Sequence, residues 1–150
     1  MTPQEKTRNT PPSKESISEN RYALLSVFDK TGIVELAREL DKQGYRIIST
    51  GGTAKALEEA EIPVVPIQDI TGNPESFDGR MKTISFQAEG GILYDRNNAD
   101  HVRQAKELGV PKIDIVVCNL YPFETTVQRE GATDAEIIES IDVGGPTMIR

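Results

Sequence analysis

The chain has 150 residues, of which 37% are apolar, and a formal net charge of -7. This length suits one domain with a buried core, and the acidic balance argues against a nucleic-acid partner, whose phosphates need clustered Lys and Arg. One Cys and one His exclude a zinc cluster and a structural disulfide. No apolar run reaches the roughly 18 residues of a membrane span, and the N-terminus lacks a signal-peptide pattern, so we expect a cytoplasmic protein without a membrane partner.

Residues 1–20 are predicted to be a disordered leader. They are polar, contain Pro3, Pro11 and Pro12, and provide almost nothing apolar to bury. The folded domain is therefore expected over residues 21–150.

From Tyr22 the pattern alternates between strands and helices. Strands are predicted at YALLSV (22–27), YRIIS (45–49) and IPVVPI (62–67), and helices at 31–44 and 54–61, with a TGGT turn before the second helix. Parallel strands need helical crossovers, so this alternation predicts a mainly parallel sheet. The expected fold class is a three-layer α/β/α domain.

The second half begins with a long irregular segment, residues 68–83, which we expect to be functional because long ordered loops usually are. A helix is predicted around residues 100–108. IDIVVCNL (113–120) is predicted to be a central buried strand, with Cys118 as a small core residue. Thr133 and Glu136 form a capping-box pattern, and Pro146 is placed where a last helix would begin.

Four groups of segments are expected where a parallel α/β sheet binds ligands, at the carboxyl ends of its strands, and the two earliest in the chain are SVFDKTG and STGGT. In SVFDKTG, Asp29 is expected to cap the next helix and Lys30 to reach an anion. In STGGT (49–53), the glycines allow backbone amides to approach a phosphate, and Ser49, Thr50 and Thr53 offer hydroxyls. Each pattern alone is also typical of an ordinary helix cap or strand-to-helix turn.

Three further segments carry candidate functional side chains. DGRMKT (78–83) provides Arg80 and Lys82, NLYPF (119–123) provides Tyr121, and IDVGG (141–145) provides Asp142. Taken singly, the two cations could be a solvated pair, the tyrosine a packing residue and the aspartate a turn residue. Only the combination of these motifs indicates a particular family.

In this order, the motifs from about Tyr22 to Arg150 resemble the IMP cyclohydrolase domain of bifunctional purine-biosynthesis proteins, a methylglyoxal-synthase-like fold. DGRMKT, NLYPF and IDVGGPTMIR are typical of the cyclohydrolase, whereas STGGT is shared with the wider group. That group includes methylglyoxal synthase and a regulatory domain that binds nucleotides without chemistry. A non-catalytic nucleotide- or phosphate-binding domain is therefore the alternative to an enzyme.

The resemblance implies ring closure of 5-formamidoimidazole-4-carboxamide ribotide to inosine monophosphate, with loss of water. Asp142 would accept the carboxamide proton, Lys82 would stabilise the oxyanion, and Tyr121 would orient the substrate or donate a proton. The other residues expected to bind the purine nucleotide are Lys30, Thr31, Thr50, Gly51, Gly52, Thr53, Arg80, Thr83, Cys118, Asn119, Val143 and Gly144.

The resemblance also implies a homodimer, and a cyclohydrolase that needs no metal or organic cofactor. The folate 10-formyltetrahydrofolate would be bound only if a formyltransferase domain followed. The family's proton-donating lysine belongs to an Ala-Ala-Lys-Asn-His segment that would come after Arg150, so we expect the domain to be truncated and this chain to lack that acid.

Three positions depart from the resemblance. Phe28 stands where the family commonly has Ser, so one nucleotide hydrogen bond is expected to be missing or to be made by Thr31. Residues 84–87 read ISFQ in place of Leu-His-Pro-Lys, and Glu89 replaces a frequent His.

Overall fold

The computed structural model describes residues 13–150, and all statements on the fold refer to them. The strands are Arg21–Ser26 (β1), Arg46–Ser49 (β2), Val64–Pro66 (β3) and Lys112–Cys118 (β4). The helices are Lys14–Glu19 (α1), Ile33–Lys42 (α2), Gly51–Glu59 (α3), Ile67–Thr71 (α4), Phe86–Leu93 (α5), Ala99–Leu108 (α6), Phe123–Gln128 (α7), Asp134–Glu139 (α8) and Gly144–Ile149 (α9).

The four strands form a parallel sheet in the order β3-β2-β1-β4. Successive residues of a strand point to opposite faces, and β1 accordingly contributes to two separate clusters of buried side chains. Leu24 packs with Ile48 on one face, and Leu25 packs with Ile47 on the other. Helices cover both faces, which confirms the predicted three-layer α/β/α fold with a mainly parallel sheet.

Several predicted elements have shifted boundaries. The helix predicted over 31–44 is α2, and the second predicted helix begins earlier than expected, so that Gly51 and Gly52 lie in the first turn of α3. Part of the segment predicted to be irregular forms α4. The capping box of α8 is present as predicted, because Thr133 accepts from the Glu136 N–H and the Glu136 side chain accepts from the Thr133 N–H.

The prediction that residues 113–120 form a central buried strand is wrong. Within residues 13–150, β4 lies at the edge of the sheet and pairs with β1 on one side. Most of its side chains are partly exposed. A continuous apolar run predicts a strand packed on both faces, but it carries no information on how many neighbours that strand has.

The prediction of a disordered leader is wrong for residues 14–19, which form α1. Ser13 accepts a hydrogen bond from the Ser16 N–H at its start, and Ile17 is buried in the cluster that contains Tyr22 and Ile113. The burial of Ile17 anchors α1 to the core, and composition alone does not reveal this contact. The rest of the predicted leader, residues 1–12, lies outside the described residues.

Helices α7 and α8 differ from the other helices in how little they bury. Neither contains a fully buried residue in the part of the chain that the structure describes. Ile138 of α8 is more than half exposed, and so are Ile141 and Val143, which follow α8. None of the described helices has the length and apolar character that crossing a membrane would require.

Candidate active site

A cleft of about 630 Å³ opens at the carboxyl ends of β1 and β4. The strand order explains its place: β2 and β3 follow on one side of β1, and β4 returns on the other side. Where two neighbouring strands of a parallel sheet are followed by crossovers that run in opposite directions, a crevice forms between these crossovers. The fold therefore brings together residues from distant parts of the chain.

All the predicted site residues except Thr31, and except Ser49 of the phosphate turn, line this cleft. They are Lys30, Thr50, Gly51, Gly52, Thr53, Arg80, Lys82, Thr83, Cys118, Asn119, Tyr121, Asp142, Val143 and Gly144. Thr31 points elsewhere, since its hydroxyl donates to an Asp29 carboxylate oxygen at 2.7 Å and its N–H donates to the same oxygen at 2.9 Å.

The glycines of STGGT form the start of a helix at the floor of the cleft. The first N–H groups of a helix have no intrahelical partner, and in α3 these belong to Gly51, Gly52 and Thr53. Gly51 has a φ of 55°, which is costly for a residue with a side chain. Helix geometry therefore provides a patch of partial positive charge for an anion.

Two of the hydroxyls predicted to serve a phosphate are instead used within the fold. The buried Thr53 hydroxyl accepts from the Val27 N–H at 3.1 Å and donates to the Val27 carbonyl at 3.0 Å. The Ser49 hydroxyl donates to the Leu25 carbonyl at 2.7 Å. These bonds tie the end of β1 to the segment that carries the glycines.

Two ammonium groups lie at the start of α3. Lys30 Nζ donates to the carbonyls of Val27 and Phe28 at 3.3 and 3.1 Å, and a Cβ placed on Gly52 would lie 3.5 Å from it. A Cβ placed on Gly51 would lie 3.6 Å from Lys82 Nζ. Their charges add to the helix dipole at one point, which makes this end of the cleft suited to a phosphate group.

The opposite wall is built by the NLYPF and IDVGG segments. Asp142 Oδ1 accepts from the Gly145 N–H at 2.9 Å at the start of α9, so the carboxylate is held in place by backbone. The Tyr121 ring packs edge to face on Phe28, with 5.5 Å between ring centroids. Arg80 is paired with Glu139 of α8. Acidic, phenolic and cationic groups thus face one space.

Asn119 shapes the β1–α2 loop. Its Oδ1 accepts from the N–H groups of Phe28 and Asp29 at 2.6 and 3.0 Å, and its Nδ2 donates to the Asp29 carbonyl at 2.7 Å. Asp29 was expected to cap α2, but the N-cap is Gly32, and hydrogen bonds from Thr31 hold the pKa of the Asp29 carboxyl below its ordinary value. This carboxylate therefore closes a turn before the helix.

Cys118 lies at the end of β4, partly exposed, where its side chain packs against the core and also lines the cleft. Burial, and secondly the negative charge of Asp142, raise the pKa of its thiol. The thiol is therefore neutral near pH 7, which fits the packing role that the sequence favoured over a nucleophilic one.

The departures from the family pattern have local explanations. Ser85 accepts a hydrogen bond from the Ala88 N–H and begins α5, so the ISFQ segment leads into a helix that the sequence did not predict. Burial raises the pKa of the Glu89 carboxyl in that helix. Phe28 lines the cleft and contacts Tyr121.

Sequence reasoning missed several cleft residues. Ser26 and Val27 are the last two residues of the predicted strand 22–27 and could have been found from that position. The residues Asp78, Gly79, Ile141, Gly145 and Met148 lie within the quoted motifs but were not singled out, and no motif marks Ile84, Ile138 and Glu139. Among residues 13–150, no group of three or more His, Cys, Asp or Glu is arranged to hold a metal ion.

Comparison with known proteins identifies the fold family. The model of the MGS-like domain family matches residues 32–147. The chain belongs to this family. Relatives of this MGS-like chain include the bifunctional purine biosynthesis protein PurH of Acetivibrio thermocellus, 57% identical over 130 residues, and that of Persephonella marina, 54% identical over 130 residues.

Each alignment covers 87% of the MGS-like chain and 25% of the relative, so the chain spans about a quarter of the length of these curated relatives. Among solved structures, the crystal structure of ForH superposes with a TM-score of 0.72 at 37% identity. That match covers 86% of this chain and 65% of the ForH chain. The chain therefore corresponds to the MGS-like part of PurH.

Proposed function

We propose that this MGS-like domain is an IMP cyclohydrolase, which closes 5-formamidoimidazole-4-carboxamide ribotide to inosine monophosphate and releases water. The observation that carries the proposal is the meeting of two ammonium groups at the start of α3 with Asp142 and Tyr121 across the same cleft. The PurH relatives are named as purine biosynthesis proteins, which supports a purine nucleotide as the ligand.

Each end of the cleft has a separate role in the proposal. The N–H groups at the start of α3 and the Lys30 ammonium bind the phosphate, with Thr50 beside them, and this anchors the nucleotide. The reacting groups then extend from this end of the cleft, where Lys82 also lies, towards Tyr121 and Asp142 on the opposite wall. Because the attacking nitrogen and the formyl carbon belong to one molecule, the protein gains rate mainly by fixing the rotamers that bring them together.

The chemistry requires charge to move during ring closure. The carboxamide nitrogen attacks the formyl carbon, the N–C bond forms, and the formyl oxygen becomes negative next to the Lys82 ammonium. Asp142 accepts the proton that leaves the nitrogen. The former formyl oxygen takes up two protons, the one that Asp142 accepted and the one that the formamido nitrogen releases as the ring double bond forms, and it leaves as water. Tyr121 is the phenol that lines this part of the cleft.

The test monitors ring closure by its change in absorbance, in the wild-type chain and in two variants. Asp142→Asn should lower kcat about 10²- to 10⁴-fold because the proton acceptor is lost. Lys82→Met should lower it about 10²- to 10³-fold because the oxyanion loses its cation. The matched controls are Asp100→Asn and Lys55→Met, whose side chains form exposed ion pairs on α6 and α3.

The outcome also separates the enzyme from the alternative. The cyclohydrolase is supported if the wild-type chain closes the ring, if both cleft variants abolish this turnover, and if both control variants keep it. Turnover that is unchanged in Asp142→Asn or Lys82→Met removes that residue from the mechanism. A wild-type chain that binds inosine monophosphate but never forms it from the open-ring ribotide would be a non-catalytic nucleotide-binding domain.

A further inference from the structure

The loop that carries Lys82 is a tight reversal of the chain. Ser76 and Met81 exchange two backbone hydrogen bonds, each 3.1 Å long, and form an isolated antiparallel bridge. Phe77 and Asp78 have φ values of 56° and 55°, and Gly79 has 85°. Left-handed backbone is unfavourable for residues with a Cβ, and such conformations cluster at functional sites. The bridge therefore holds a loop whose shape its own residues do not prefer.

The bridge fixes which side chains face each other. In antiparallel pairing, the residues next to a hydrogen-bonded pair are themselves opposite each other, and their side chains lie on one face. Here those residues are Glu75 and Lys82. Glu75 Oε1 lies 3.6 Å from Lys82 Nζ, so the geometry of the reversal makes them a cross-strand ion pair.

Gly79 leaves the space that this pair occupies. A Cβ on Gly79 would lie 2.9 Å from Glu75 Oε1 and 3.1 Å from Lys82 Nζ, closer than real Cβ contacts normally are. On its other side, Lys82 Nζ approaches the start of α3 at Gly51. The Lys82 ammonium thus lies between the Glu75 carboxylate and the N-terminus of α3, and a side chain at position 79 would contact it too closely.

We infer that Glu75 is a positioning residue for Lys82 in the reaction proposed above, and this inference rests on that proposed function. A lysine has several rotatable bonds and loses much conformational freedom when it is fixed. The Glu75 carboxylate restricts these rotamers before the ligand arrives, so the ammonium is already placed for the developing oxyanion. Arg80, the other cation of the loop, forms its ion pair with Glu139, which belongs to a different element, α8.

The first measurement tests the positioning without requiring catalysis. An amine-reactive ester is applied to the wild-type chain and to Glu75→Gln, and labelling of each lysine is followed by peptide mass spectrometry. Removing the carboxylate should raise the labelling rate of Lys82 at least about threefold, while Lys42, which is paired on the exposed face of α2, should keep its rate. An unchanged Lys82 rate would overturn the inference even if the domain is not an enzyme.

The second measurement is ring closure. Glu75→Gln should lower kcat about tenfold with KM within about twofold, and Glu75→Asp should recover part of that loss, because a shorter carboxylate still attracts the ammonium. Glu59→Gln is the matched control, since it breaks the exposed Lys55–Glu59 pair and should leave both constants unchanged.

Melting temperatures separate positioning from a merely structural role. If Glu75→Gln and Glu75→Asp lose activity and melting temperature together, without recovery in the aspartate variant, Glu75 stabilises the loop and does not position Lys82. If the wild-type chain has no turnover, the proposed function fails, and the labelling experiment still decides whether Glu75 holds Lys82.

Discussion

At the scale of single residues, Thr53 shows how a side chain chosen for ligand binding can serve the fold. Its hydroxyl is a hydrogen-bond acceptor and donor for the same residue, Val27, at the end of β1. Because the backbone N–H groups at the start of α3 depend on where this turn is held, the side chain contributes to the phosphate site by fixing its backbone. Sequence patterns identify such a threonine without revealing the direction of its hydroxyl.

The stability of Thr53→Val should report this role. Valine has nearly the same shape but leaves the buried Val27 N–H unpaired, whereas the Val27 carbonyl keeps its hydrogen bond from Lys30 Nζ, so the free energy of unfolding should fall by about 1–3 kcal/mol. Urea denaturation measures the change. Thr53→Ser keeps the hydroxyl and should lose less, and a valine variant as stable as wild type would contradict this account.

At the scale of secondary-structure elements, the best-predicted parts are those with a local cause. The period of apolar residues defined α2, and Thr133 with Glu136 defined the start of α8. The edge position of β4 could not be predicted, because it depends on which strand pairs with β1 and not on the residues of β4. Most of the residues named from the motifs line one cleft because the ends of parallel strands meet at one edge of the sheet, and their roles in binding and catalysis stay predictions.

Helices α7 and α8 should open more readily than the rest of the domain. Neither buries a residue among those described, whereas α2 buries Ile33, Ala37 and Leu40. Local unfolding is easiest where few apolar contacts are lost.

Amide hydrogen exchange followed by mass spectrometry should therefore give rates on the order of tenfold or more higher over residues 123–139 than over α2, which serves as the internal reference. Equal protection of the two regions would show that α7 and α8 are covered by contacts outside the described residues.

At the scale of the whole molecule, binding of the nucleotide should stabilise the fold. A ligand that binds the folded state alone adds about 2.7 kcal/mol when its concentration is a hundred times its Kd. Inosine monophosphate should therefore raise the melting temperature, and inosine, which lacks the phosphate, should raise it far less. Equal shifts from the two compounds would contradict a phosphate site at the start of α3.

The acidic net charge does not oppose such binding, because the cations that matter are concentrated in one place. The chain carries 24 acidic and 17 basic residues, yet Lys30, Arg80 and Lys82 line the same cleft. Local potential decides where a small anion binds, and the overall charge mainly repels extended polyanions. Composition therefore argues against a nucleic-acid surface, which stays a prediction, and it says nothing about this site.

The wide spacing of the cleft residues along the chain has a consequence for folding order. Asp142, which follows β4, joins Lys30 and Lys82 only after β4 has paired with β1, and this pairing closes a loop of most of the domain. Non-local contacts of this kind form late and slowly. Nucleotide binding should therefore be the last property that the refolding chain acquires, and the first that it loses when the sheet begins to separate.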